Sequence, residues 1–108
     1  MSYKITFYNL SVQSDLEEWP SGIYASFVRI AEQMTSSGPN LGLPYTRAMG
    51  DGLFEMRARG REGIGRAFFC ALVGRKVVIL HVFIKKTQTT PTKEMALARK
   101  RMKEIKND

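Results

Sequence analysis

The sequence predicts an α+β domain with a mainly antiparallel sheet, its elements in the order β-α-α-β-β-β-α. Three observations predict it. Apolar residues before position 37 recur at helical spacing, the period drops to two from Gly52, and helical spacing returns after Pro91. With no repeat and no low-complexity stretch, residues 1–108 read as a single domain with one modest core.

Lys4-Ile5-Thr6-Phe7-Tyr8 alternates polar and apolar residues and reads as the first strand. Ser14-Asp15-Leu16-Glu17 has the spacing of a capping box and predicts a short helix ending near Trp19-Pro20. Ser21 then caps a second helix to about Ser36, with Ile23, Phe27, Ile30 and Met34 on one face. Ser37-Gly38-Pro39-Asn40 stops it, and the segment to about Gly50 reads as a loop. From Gly52, alternation puts Leu53, Glu55, Arg57 and Arg59 on one strand face and Phe54, Met56 and Ala58 on the other. Gly60-Arg61-Glu62-Gly63 turns into a strand from about Gly65 to Val73. Gly74-Arg75 turns into residues 76–84, apolar on both faces as in a covered central strand. Thr90 is expected to cap a last helix with Pro91 at its first position, its seam formed by Met95, Ala98, Met102 and Ile105.

Composition narrows the function. Apolar residues make up 44% and charged residues 25%, as in ordinary folded domains. No stretch approaches a membrane span and no signal-peptide block follows Met1, so a soluble, cytoplasmic protein is expected. A lone Cys70 excludes an intramolecular disulfide and a multi-cysteine zinc site, and a lone His81 excludes a His-rich cage; neither metal nor cofactor is expected. Net charge is +7 and uneven. Residues 1–46 carry two bases against four acids, whereas residues 47–108 carry fifteen bases against six. That asymmetry places a positive field on one part of a small fold, where it attracts polyanions.

Arg57 and Arg59 share a strand face, Arg66 lies in the next strand, and Lys85 and Lys86 end the third. If the strands are neighbours, these cations converge. Guanidinium forks fit phosphate and would stabilise the extra charge of a pentacovalent phosphorus. A lysine crowded by arginines loses affinity for its proton, which suits Lys85 or Lys86 to proton transfer; Glu55 is another candidate base. The alternative for all of them is a solvated sheet face. His81 and Cys70, set among apolar neighbours, read as packed structural residues. Phe68, Phe69 and Phe83 read as core unless one of them is exposed beside the arginines as a stacking surface. The basic last helix is either solvated or rests on RNA.

Four blocks resemble, in order, those of the HigB-like, often phage-derived branch of the RelE/ParE toxin superfamily. They are Gly38-Pro39-Asn40-Leu41-Gly42-Leu43-Pro44-Tyr45, Gly50-Asp51-Gly52-Leu53-Phe54-Glu55-Met56-Arg57, Gly63-Ile64-Gly65-Arg66, and Phe83-Ile84-Lys85-Lys86-Thr87-Gln88-Thr89-Thr90-Pro91. The last is the most specific, and the first 37 residues agree only in layout. The resemblance implies two N-terminal helices packed on a curved sheet, with a C-terminal helix. It also implies a type II toxin that cleaves mRNA, usually in the ribosomal A site, silenced by a small helix-turn-helix (HigA-like) antitoxin. By position Arg57, Arg59, Arg66, Lys85 and Lys86 resemble the cleavage residues. On that basis Arg57 and Arg66 hold the phosphate, Lys86 stabilises the transition state, and Lys85 helps it or carries the proton. Arg59, Arg61, Phe83 and Lys93 are the expected RNA contacts.

The chain departs from the family it resembles at two points. Where some carry a nucleotide-orienting tyrosine near the last helix, this chain has Thr92 and Lys93, which leaves the role vacant or moves it to Phe83 or Tyr45. The histidine and aspartate used by other HigB proteins near the strand end are absent. ParE-like members of the superfamily bind and inhibit DNA gyrase without cleaving anything. A basic sheet face is what a nuclease needs and a gyrase binder does not.

Overall fold

The computed structural model describes residues 2–85 and 91–106. Their elements are β1 (Lys4–Phe7), α1 (Leu10–Glu17), α2 (Ser21–Ser37), β2 (Thr46–Gly50), β3 (Leu53–Gly60), β4 (Gly63–Leu72), β5 (Lys76–Lys85) and α3 (Thr92–Lys106). The strands form one five-stranded sheet in the order β1-β5-β4-β3-β2. β1 runs parallel to β5, and the other neighbours are antiparallel. The α+β class and the mainly antiparallel sheet stand, with one more strand than the sequence pattern predicts.

That strand, β2, occupies the end of the expected loop. Asp51 and Gly52 both have positive φ (57° and 87°), and Gly50 pairs with Leu53 across them. A two-residue turn of this hand matches the twist of its flanking strands, so Asp-Gly closes a hairpin and draws Thr46–Gly50 alongside β3.

The helix starts also differ from expectation. Asn9, not Ser14, caps α1: its side-chain oxygen accepts from the Val12 amide at 2.8 Å, and Ser14 lies inside the helix. Ser21 is the first helical residue of α2, and Pro20 precedes it without a side-chain cap. A distant residue supplies the missing acceptor, Glu62 in the β3–β4 turn, whose carboxylate accepts from the Gly22 amide at 3.0 Å. This close approach needs glycines. A Cβ on Gly60 would lie 2.5 Å from the Ile23 nitrogen, and one on Gly65 would lie 2.7 Å from both Ile23 and Trp19. Pro91 stands before α3, its carbonyl accepting from the Met95 amide, so it occupies the cap position and not the first helical one. Thr90, its expected cap, lies outside the described residues.

The sheet is covered on both faces. Ile23, Phe27, Ile30 and Met34 of α2 join Val12 and Leu16 of α1 over Met56, Ala58, Ala67, Phe69, Val77 and Ile79. On the opposite face Ala98 and Met102 of α3 cover Leu53, Phe68, Cys70, Val78 and Leu80. β5 serves both cores, as its unbroken apolar run predicts. α3 covers only part of its face. Its first turn meets β5 at His81, where Glu94 Oε1 lies 2.6 Å from His81 Nε2. From there Arg101 donates to the Leu80 carbonyl at 2.7 Å and lies over the Tyr8 ring, and Arg99 donates to the Met49 carbonyl at 2.9 Å. The helix therefore runs back toward the start of β5, and among the described residues no helix covers the other half of that strand face. Among the described residues, no helix is long and apolar enough to cross a membrane.

Candidate functional site

The uncovered half of the face holds the charge. Register sets Arg47 opposite Glu55, Arg57 opposite Arg66, Arg66 opposite Phe83, and Ile64 opposite Lys85. Directly opposed residues share a face, so side chains from four strands meet there. Glu55 is their centre and is 0% exposed. Its carboxylate lies 2.6 Å from Arg66 Nη1, 3.3 Å from Arg57 Nε and 3.6 Å from Arg47 Nη2. A carboxylate excluded from water is tenable only when paired, and three guanidiniums so close are tenable only around an anion. Each requirement meets the other.

The three arginines differ in what they offer outward. The side chain of Arg66 is 4% exposed, that of Arg57 23% and that of Arg47 38%. Arg66 is thus chiefly the strut beneath Glu55, and Arg57 and Arg47 form the accessible rim. Among the described residues, Arg47 Nε and Arg66 Nε are buried donors with no hydrogen-bond partner. Lys85 stands at the same end of the sheet. Burial lowers the pKa of its ammonium, and the Arg66 charge lowers it further; Glu55 opposes both, while Arg57 and Arg47 add smaller pushes downward. The four cations outnumber the one carboxylate and focus positive potential on a small area.

Of the residues expected from the sequence, Arg57, Arg66 and Lys85 come together. Lys86 lies outside the described residues. Arg59 is exposed further along the same strand face, beside a hollow of about 60 Å³ lined by Ser26, Pro44, Tyr45, Arg57 and itself. Arg61 is exposed in the β3–β4 turn and Lys93 in the first turn of α3. Phe83 is half-buried, its ring 5.7 Å from both Phe68 and His81. His81 is the packed histidine expected, partnered by Glu94. Cys70 is the buried thiol expected, its pKa raised by burial and only partly offset by Lys106. Among the described residues, no three His, Cys, Asp or Glu side chains are grouped to hold a metal ion.

Arg47 is not among the residues the sequence pattern singles out, because Thr46–Gly50 reads there as the end of a loop. Alternation in Thr46-Arg47-Ala48-Met49, followed at once by an Asp-Gly turn, was the available signal.

Paired helices lie on one face of the sheet and a basic cluster on the other, an arrangement broadly compatible with toxin-like proteins of the RelE/ParE type. The chain belongs to the phage-derived protein Gp49-like family (DUF891), whose model matches residues 14–103. That span holds every strand but β1 and all of the cluster. No curated protein matches the chain.

Proposed function

We propose that this protein is the toxin of a type II toxin–antitoxin pair, HigB-like in branch, and a ribosome-dependent mRNA endoribonuclease acting in the 30S A site. One observation carries the reading: Arg47, Arg57, Arg66 and Lys85 converge on one open sheet face around a single buried carboxylate. The cluster matches, in size and sign, what a backbone phosphate requires.

The chemistry needs only general acid–base and electrostatic help. The ribose 2′-oxygen attacks the adjacent phosphorus, the bond to the 5′-oxygen breaks, and a 2′,3′-cyclic phosphate and a 5′-hydroxyl result. Arg57 and Arg47 hold the non-bridging oxygens and stabilise the charge that grows on them. Arg66 contributes its field from below and keeps Glu55 in place. Lys85, its proton loosened by burial and by Arg66, takes the 2′-hydroxyl proton. Lys86 keeps its expected place as transition-state stabiliser, and the leaving 5′-oxygen takes its proton from the lysine pair or solvent. Arg59, Arg61 and Lys93 contact RNA beyond the reacting phosphate. Neither metal nor cofactor enters this scheme. The partners are the ribosome, its mRNA and a helix-turn-helix antitoxin, all met in the cytoplasm.

Primer extension on a translating mRNA tests this, with the wild-type chain and Arg57→Ala. New cuts that require the ribosome and vanish in the variant are expected. Cuts on naked RNA would make the protein a free ribonuclease. A growth-arresting protein that makes no cuts would overturn the nuclease reading in favour of a gyrase-binding toxin.

A further inference from the structure

The two edges of the sheet end differently. At the β2 edge the Thr46 amide donates to the Gly42 carbonyl at 3.0 Å, and Arg99 donates to the carbonyls of Met49 and Gly50 at 2.9 and 3.3 Å. β1 is the opposite edge, and among the described residues no strand lies beyond it. The amides of Lys4 and Tyr8 donate to the Arg75 and Ile79 carbonyls of the β5 side. Backbone groups alternate in direction along a strand, so Lys4, Thr6 and Tyr8 turn theirs to β5, and Ile5 and Phe7 turn theirs outward. Such an edge is a template for a further strand.

A groove runs beside that edge. Tyr3 and Ile5 of β1 face Phe27, Val28 and Ala31 of α2 across about 520 Å³, with the exposed Glu32 at the rim. The Tyr3 amide donates to the Thr35 carbonyl at 2.8 Å and ties the two walls together. A helix laid in the groove would leave the outward amides of Ile5 and Phe7 unpaired. An extended strand satisfies them and sends alternate side chains between β1 and α2. Charge selects the remaining side chains. Lys4 and Lys76 are exposed and directly opposite each other, and among the described residues neither forms an ion pair. Like charges so placed repel. A carboxylate on an added strand would lie beside Lys4 and relieve them, whereas a second copy of this chain would bring one more lysine to the same edge.

We propose that the β1 edge and its groove form a docking site for an extended strand of a partner protein, apolar on the face turned to α2 and acidic on the other. The groove lies on the sheet face opposite the arginine cluster, so this inference stands independently of the nuclease reading.

The probe is a short fluorescein-labelled peptide of alternating valine and glutamate, added to the full chain and followed by anisotropy. Saturable binding is expected, and an isomer with its valines grouped at one end should not bind. Backbone methylation isolates the edge. In one peptide every valine amide is N-methylated, and in another every glutamate amide. Only one set turns toward β1, so one methylated peptide should bind like the parent and the other not at all. Which of them binds reads the direction of the added strand. In hydrogen-exchange NMR the parent peptide should slow the Ile5 and Phe7 amides and leave those of Lys4 and Thr6 as they were. Lys4→Glu should weaken the parent peptide about threefold or more, as loss of an exposed ion pair does. No binding of the parent, equal binding of the isomer, or equal behaviour of the two methylated peptides would overturn the docking site. A chain already dimeric in sedimentation, with slow Ile5 and Phe7 amides before any peptide is added, would overturn the acidic strand in favour of a second copy.

Discussion

The two halves of the sheet face under α3 are made from the same strands and have opposite physics. Toward the start of β5, Leu53, Phe68, Cys70, Val78 and Leu80 are sealed by Ala98 and Met102. Toward its end, Arg57, Arg66 and Lys85 from those strands stand with Arg47 of β2 around Glu55. The first half stabilises the fold by removing apolar surface from water. The second half costs stability, since burying ions is repaid only with good geometry. Alternation alone gives both halves the same face, so the boundary between them is set by how far α3 reaches along β5. Its first turn stops at His81, and charge begins beyond it.

Breaking the charged half should have the largest effect on stability. Arg66→Ala would leave the carboxylate of Glu55 buried without its nearest partner, and loss of one member of a buried pair costs about 3–5 kcal/mol. Replacing both, as Glu55→Met with Arg66→Met, should recover much of that loss in urea unfolding while abolishing cleavage. A double variant no more stable than Arg66→Ala would show that the pair itself stabilises the fold. In the apolar half the corresponding change is Met102→Ala, expected to cost about 2–5 kcal/mol through the cavity it leaves. There a second apolar-to-alanine change nearby should add to the loss instead of reversing it.

Arg57→Ala separates chemistry from fold. With its side chain 23% exposed and Arg66 still on Glu55, the variant should lose clearly less stability than Arg66→Ala, which removes the nearest partner of the buried carboxylate. Its cleavage should fall about 100-fold or more, the usual consequence of losing one transition-state donor. A large loss of stability with an equal loss of cleavage would place Arg57 in the same structural role as Arg66.

How much of this was legible in the sequence depended on whether the signal was local. β3, β4, β5 and the apolar face of α2 follow from periodicity, because each buries the residues its own spacing lines up. The convergence of Arg57, Arg66 and Lys85 required only that consecutive strands be neighbours, which hairpins ensure. What stayed hidden was relational. Glu62 caps α2 from forty residues away, which no local pattern at Ser21 announces, and the capping-box spacing at Ser14 competed with the true cap at Asn9. Arg47 was concealed by the prolines and glycines before it, although the Asp-Gly turn after it carried the hairpin signal. That Glu55 sits at the centre, and that Arg66 is more strut than hand, follows from burial. Burial depends on packing across four strands. The long-range cap yields a modest prediction: Glu62→Ala should cost about 1 kcal/mol, the typical contribution of an N-cap, read as a lowered melting temperature.

The smallest effect tests the charged half most finely, through the proton on Lys85. Burial and the neighbouring arginines depress its pKa below the ordinary 10.5, while Glu55 pulls the other way. Between the depressed folded value and the unfolded one, the folded chain holds fewer protons, so stability rises with pH across that interval. Removing a neighbour should move the folded value in a direction set by its sign. Arg47→Gln takes away a weak downward push and should move the Lys85 titration slightly to higher pH. Glu55→Gln takes away the upward pull and should move it to lower pH. Titration of ¹³Cε-labelled lysine by NMR reads both without reference to activity. Opposite displacements would show that Lys85 feels the cluster as a whole, and displacements of the same sign would mean that its proton is governed by burial at the strand end alone.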